Sequence, residues 1–193
     1  MILFGLVPRC RYVSLVIGLL AIVVGVSLHS TQSEEKCVVS EDYDVFLSFR
    51  GGDTRTGFTD FLYNSLVAAW VRVFRDDEDL PVGEEIFDGL MQAIRSSKIS
   101  IPIISRDYAG SKYCLLELAE MKKCRESCGR LIFPIFYKVN VNEVQELNGR
   151  VGEALRSLNN TVDADAMSQW EEALRSVAKI KGWESHKIAN GYV

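Results

Sequence analysis

Hydrophobic positions along the chain switch repeatedly between two periods. Val45 to Phe49 is a short apolar run, the pattern of a strand buried on both faces. It stops at Arg50-Gly51-Gly52-Asp53, a turn that places Asp53 or Thr54 to cap a helix. Phe58, Phe61, Leu62, Ser65, Leu66 and Ala69 then recur at helical spacing. Val71 to Phe74 reads as a second strand, Arg75 to Glu85 as a long polar loop, and Ile86, Leu90, Ala93 and Ile94 as the next helix. Ile99 to Ile104 is a strand, Cys114 to Ser127 a helix and Leu131 to Tyr137 another strand. A loop over 138–149 leads to a short helix through Ala154 and Leu158. A last helix carries Met167, Trp170, Leu174, Val177 and Ala178.

Strands alternating with helices in this way predict an α/β fold, with a parallel sheet covered by helices on both faces. Pro102 and Pro134 run against it, because each would remove a ladder donor from a central strand. They are expected at strand ends or bulges. In such sheets ligands bind beyond the carboxyl ends of the strands. Those ends are Phe49-Arg50-Gly51, Phe74-Arg75-Asp76, Ser105 and Tyr137-Lys138. A phospho-acceptor site would need acidic residues after the first strand and an Asp after the third, where Arg50 and Ser105 stand. A dinucleotide fingerprint would read G-x-G-x-x-G where the chain has "RGGDTRTG". Both are excluded. One residue breaks the helical pattern: in "SKYCLLELAE", Glu117 stands among Cys114, Leu115, Leu118 and Ala119, the inner face of the helix.

Composition narrows the classes further. The chain has 193 residues and a net charge of −4, with Lys+Arg 22 against Asp+Glu 26, so it lacks the basic footprint of a nucleic-acid binder. Cys10, Cys37, Cys114, Cys124 and Cys128 form no evident disulfide framework, and an odd, scattered set suits a reducing compartment. Cys124 and Cys128 share a helix face with no His nearby, so no metal site is expected. The uncharged run Tyr12 to Leu28, preceded by Arg9 and Arg11, lies at the lower length limit for a spanning helix. A signal anchor over residues 1–29 is favoured over a cleaved signal, with 30–42 a polar linker and 43–193 the globular domain. Arg9 and Arg11 would by themselves send that domain to the lumen, against the reduced cysteines.

"YDVFLSFRGGDTRTGFTDFLYNSL", "VFRDDEDLPVGEEI", "SKISIPIISRDYAGSKYCLLELAEM" and "RLIFPIFYKVNVNEV" together resemble the TIR (Toll/interleukin-1 receptor) domain of plant immune receptors. The resemblance runs from Tyr43 to about Trp183. It implies a flavodoxin-like, five-stranded parallel sheet, whose fifth strand is expected near Gly182-Trp183. It also implies cleavage of NAD+, as substrate and without a metal, by assembled domains. The family's catalytic glutamate falls on Glu117. Cofactor contacts fall on Arg50, Gly51, Gly52, Asp53, Thr54, Arg55 and Gly83, and on Tyr113, where the family usually has Trp. Lys181-Gly182-Trp183 resembles an interface motif of the family. Partners implied are further copies and other TIR-containing receptors. Cytosolic NAD+ places the domain on the cytosolic side of the membrane.

Two functions of different class follow: an NAD+ nucleosidase, and a non-catalytic adaptor that recruits other TIR domains. Without the motif, Glu117 would be read as a helix residue reaching water. Arg50 to Thr54 alone joins a cation, a glycine turn and a helix start at a strand end, which suits a pyrophosphate.

Overall fold

A computed structural model describes residues 18–23, 25, 41–75 and 86–187. Strand β1 (Tyr43–Phe49) leads directly into a short helix α1 (Gly51–Thr54), a π turn (Arg55–Thr59) and helix α2 (Asp60–Ala68). Then follow β2 (Val73–Phe74), α3 (Ile86–Arg95), β3 (Ser97–Ile104) and a single 3-10 turn (Tyr108–Gly110). Helix α4 (Lys112–Cys128) precedes β4 (Leu131–Ile132), β5 (Ile135–Phe136), α5 (Val141–Glu146), α6 (Gly149–Arg156), α7 (Ala164–Ala178) and β6 (Trp183–Glu184). All strand pairs are parallel, in the order β2-β1-β3-β5-β6, with β4 also on β3. Counting β4 and β5 as one interrupted strand gives the flavodoxin-like order. The expected last strand is β6.

Alternation along β1 divides the core. Val45, Leu47 and Phe49 pack with Ile99, Ile101, Ile103 and Ile135 of the sheet and with Phe58, Leu62 and Leu66 of the α2 side. Phe46 belongs to the opposite cluster, with Leu115, Leu118 and Met121 of α4 and Trp170, Leu174 and Val177 of α7. Ser48, two residues on from Phe46, therefore points towards α4. Side-chain identity thus sorts the helices onto the two faces.

The prolines divide. Pro134 falls in the break between β4 and β5, as expected. Pro102 does not lie at an end: it sits inside β3, opposite Ser48 of β1. Ser100 and Ile104 offer their carbonyls to Phe133 N (2.9 Å) and Tyr137 N (2.8 Å), so the even-numbered residues of β3 bond towards β4 and β5. The missing N–H of Pro102 faces that same side, where the ladder is already interrupted at Phe133-Pro134. The second expected strand shortens to Val73–Phe74, because α2 runs on into Ala69 and a tight reversal. There Trp70 takes a left-handed φ of 63°, with its N–H on Val67 O and Val71 N–H on Leu66 O.

Most of the expected 1–29 anchor and of the 30–42 linker lies outside the described residues. Residues 18–23 are helical, and Leu19 and Val23 are fully buried in the α2-side cluster. No helix among the described residues is long and apolar enough to cross a membrane. One cysteine expectation is corrected. Cys114 and Cys124 keep their thiols, but Cys128 is disulfide-bonded.

Candidate functional site

Helix α4 starts where its sequence says it should. Ser111 has an extended backbone and its hydroxyl accepts from Cys114 N at 3.4 Å, while Gly129, in the left-handed region at φ 69°, ends it. Glu117 lies a turn and a half inside, on the face towards β1, and is only 6% exposed. Little of it meets solvent. Ser48 Oγ donates to Glu117 Oε2 at 2.6 Å, and Ser48 Oγ lies 2.6 Å from Tyr108 Oη. Tyr108 Oη also reaches Cys114 O at 3.1 Å, and Cys114 Sγ donates to Phe49 O at 3.5 Å. Burial, with Cys114 and Glu117 close by, pushes the Tyr108 phenol well above its ordinary range, so it keeps its proton. The two positions that break the apolar pattern, one on the strand and one on the helix, have found each other.

The segment after β1 is arranged differently from the expectation. Neither Asp53 nor Thr54 caps a helix. Asp53 Oδ2 instead accepts from Ser105 Oγ and from Asp107 N (3.2 Å), tying the end of β1 to the end of β3. Thr54 Oγ1 accepts from Thr59 Oγ1 at 2.8 Å. Arg50 pairs with Asp53 at 3.7 Å. Arg55 lies over the Phe49 ring, 4.9 Å from its centroid. Gly51 makes room for this fold-back, since a Cβ there would stand 2.9 Å from Arg55 Nε. Gly52 has open space around it.

A cavity of about 240 Å³ opens at the strand ends, lined by Asp53, Ser105, Arg106, Asp107, Tyr137 and Lys138. Of the expected site residues only Asp53 lines it. Glu117 is not among its lining residues. Tyr113, one turn earlier, is 59% exposed, so spacing of four places its ring near the surface and the carboxylate inside. Gly83 and the polar loop around it lie outside the described residues. Among the described residues no group of three or more His, Cys, Asp or Glu is placed to hold a metal ion.

With this geometry in place, the comparisons with known proteins decide the family. The family model described as "TIR domain" matches residues 42–191. The chain belongs to the TIR domain family. This TIR domain is 43% identical over 141 residues to "Disease resistance protein RPV1" of Vitis rotundifolia, covering 73% of this chain and 10% of that protein. It is 36% identical over 142 residues to "TMV resistance protein N" of Nicotiana glutinosa, covering 72% of this chain and 12% of that protein. The TIR domains in a structure of the activated Roq1 resistosome, which directly recognises the pathogen effector XopQ, match at a TM-score of 0.73 and 37% identity, covering 77% of this chain and 91% of theirs. The chain spans about a tenth of the length of the curated plant relatives named here.

Sequence reasoning missed Ser48 and Tyr108. A serine on the inner face of a buried strand was the available signal, because burying a hydroxyl there is unfavourable unless it is hydrogen-bonded. Trp183 is half-buried, its ring edge-on to Phe133 at 6.0 Å and its backbone N–H donating to Pro134 O at 3.0 Å.

Proposed function

We propose that this TIR domain is an NAD+ nucleosidase, which breaks the bond between nicotinamide and ribose and releases ADP-ribose-type signals in plant defence. One observation carries the reading: the carboxylate in the resembling motif, Glu117, is buried and held by a hydroxyl donor rather than lying in solvent. A surface glutamate would have no such partner.

The chemistry asks for little else. Nicotinamide leaves NAD+ as a neutral molecule from a positively charged pyridinium, so its departure needs no general acid. Ordinary glycosidases need two carboxylates because an alkoxide must be protonated as it leaves. Here one fixed carboxylate suffices, stabilising the oxocarbenium charge that develops on the ribose until the oxygen of water or of a substrate hydroxyl bonds to the anomeric carbon and gives up its proton. The exposed ring of Tyr113 offers a stacking face. Arg50 to Arg55 and Gly83 supply the remaining contacts to the substrate. No metal takes part.

The same reading covers partners and place. The Roq1 match is to TIR domains within a resistosome, which supports self-association and pairing with TIR-containing receptors. The domain would work on the cytosolic side, where NAD+ is found.

The test is nicotinamide release from NAD+ by the full chain across a concentration series, with Glu117→Gln beside it. Turnover should fall by about a hundredfold or more in the variant. Its thermal midpoint should hold, because Ser48 still has an amide oxygen to donate to. Equal rates in variant and parent would leave the adaptor function instead.

A further inference from the structure

Ser48 (1% exposed), Tyr108 (fully buried) and Glu117 come from three separate elements: β1, the turn after β3, and α4. Their polar atoms form an unbroken line inside the core on the α4 side of the sheet. Counting protons sets its direction. Ser48 has one hydroxyl proton, and Glu117 Oε2 takes it at 2.6 Å. The 2.6 Å contact between Ser48 and Tyr108 then needs the phenol proton. When Glu117 is ionised the chain runs Tyr108 to Ser48 to Glu117. When Glu117 is protonated the whole chain reverses, with Glu117 donating to Ser48, Ser48 to Tyr108, and Tyr108 to Cys114 O at 3.1 Å. Every hydroxyl has a partner in either state.

A core that needed only packing would be more stable with apolar residues at these positions. Around them on that face Phe46 of β1 and Leu115, Leu118 and Met121 of α4 are apolar. We propose that Ser48 and Tyr108 are positioning residues for Glu117, forming a buried hydroxyl chain that fixes the carboxylate in place and stabilises its charge. The use of that charge in catalysis rests on the nucleosidase reading; the chain itself does not.

Among the described residues, the titratable group joined to the carboxylate through Ser48 is Tyr108, from the turn after β3, with Cys114 of the first turn of α4 beside the phenol. From β1 the facing residue is Ser48, and Arg50 beyond it is paired with Asp53. On the flanking helices, Arg95 of α3 is engaged by Glu120, and Glu172 of α7 by Lys122. Removing a donor to the ionised form, with burial unchanged, makes that form less favourable.

The experiment titrates the Glu117 side-chain carbon by NMR in the full chain labelled at glutamate Cδ, the signal being assigned by its loss in Glu117→Gln. Ser48→Ala should move the midpoint to higher pH, Tyr108→Phe should move it in the same direction by less, and Ser48→Thr should restore it. In parallel, Ser48→Ala should lower kcat for NAD+ cleavage at neutral pH roughly tenfold, the weight of one hydrogen bond to a charged group, and change KM less. The acid limb of the pH profile should follow the NMR midpoint. A residue needed only for packing would lower the melting temperature and leave both midpoints alone. Midpoints equal to the parent's in Ser48→Ala and Tyr108→Phe overturn the proposal. If Ser48→Ala does not fold, the near-isosteric Tyr108→Phe decides alone. If the parent cleaves no NAD+, the nucleosidase reading falls while the titration still decides the chain.

Discussion

Replacing Gly182 by Ala adds a single methyl group at the entry to the edge strand β6. An ideal Cβ at that position would stand 2.4 Å from Pro134 O, 2.8 Å from Pro134 Cγ and 2.9 Å from Phe136 Cε2. Two of the three neighbours belong to a proline whose carbonyl also accepts the N–H of Trp183 at 3.0 Å. The methyl therefore cannot be accommodated by a side-chain rotation alone. Either the backbone of 182–184 moves away from β5, or the carbonyl yields and its ladder bond lengthens. Overpacking of this kind costs about 1–3 kcal/mol, and a weakened buried hydrogen bond adds about 0.5–1.5 kcal/mol. A total of roughly 2–4 kcal/mol corresponds to a fall of roughly 5–15 °C in thermal midpoint for a chain of this size. Gly52→Ala is the control. Its Cβ would meet nothing within 4 Å on a helical segment, so it should stabilise by about 0.5–1 kcal/mol. Circular dichroism melts of both variants give the answer. A midpoint for Gly182→Ala within about 2 °C of the parent would mean that β6 has room the structure does not show.

Three further outcomes follow from the same structure. Trp70 is 93% exposed and left-handed, φ 63°, so Trp70→Gly should raise stability by about 1 kcal/mol. A urea midpoint that falls instead would mean the indole has a packing partner. Burial alone would raise the Asp44 carboxyl, but hydrogen bonds from Arg72 and Lys98 outweigh it and hold the group below its ordinary value. Asp44 therefore contributes stability above its unfolded pKa that is lost as pH falls below about 4, and Asp44→Asn should flatten that acid loss in urea titrations. The sequon Asn159-Asn160-Thr161 is exposed, so expression in a secretory-competent cell should leave gel mobility unchanged by deglycosylation if the domain faces the cytosol. A shift abolished by Asn159→Gln would place it in the lumen.

The longer strands and helices were legible because each buries a continuous face, and burial leaves a periodic trace in the sequence. The stretch 138–149, read as a loop, instead holds α5 and the start of α6. Six residues with Val144 as the one buried side chain are too short to show a period. β6 was legible only through the resemblance, since Trp183–Glu184 is too short to show a period. Pro102 misled because the rule against central proline assumes a partner carbonyl that needs its N–H. Here the partner strand is broken at the same level. Asp53 looked like a cap from its neighbours in sequence, yet its partners Ser105 and Asp107 lie more than fifty residues away. Glu117 was legible as an exception to an apolar face, whereas Ser48 was not, because a single serine in a strand is common. What joins them is a contact between elements, and no local period encodes that.

The two prolines also bear on how the sheet is assembled. Parallel strands pair late, after long loops have closed, and β4 and β5 offer only two residues each to β3. So short a contact holds its alignment weakly, and a slip by two residues would keep every side chain on its proper face. Such a slip would bring the donorless Pro102 against a ladder carbonyl and Phe133-Pro134 against an intact stretch of β3. Each mismatch strands a buried polar group, at about 1–3 kcal/mol. The gap in the ladder thus acts as a key cut to one position, making misaligned folding intermediates unstable before the last strand docks.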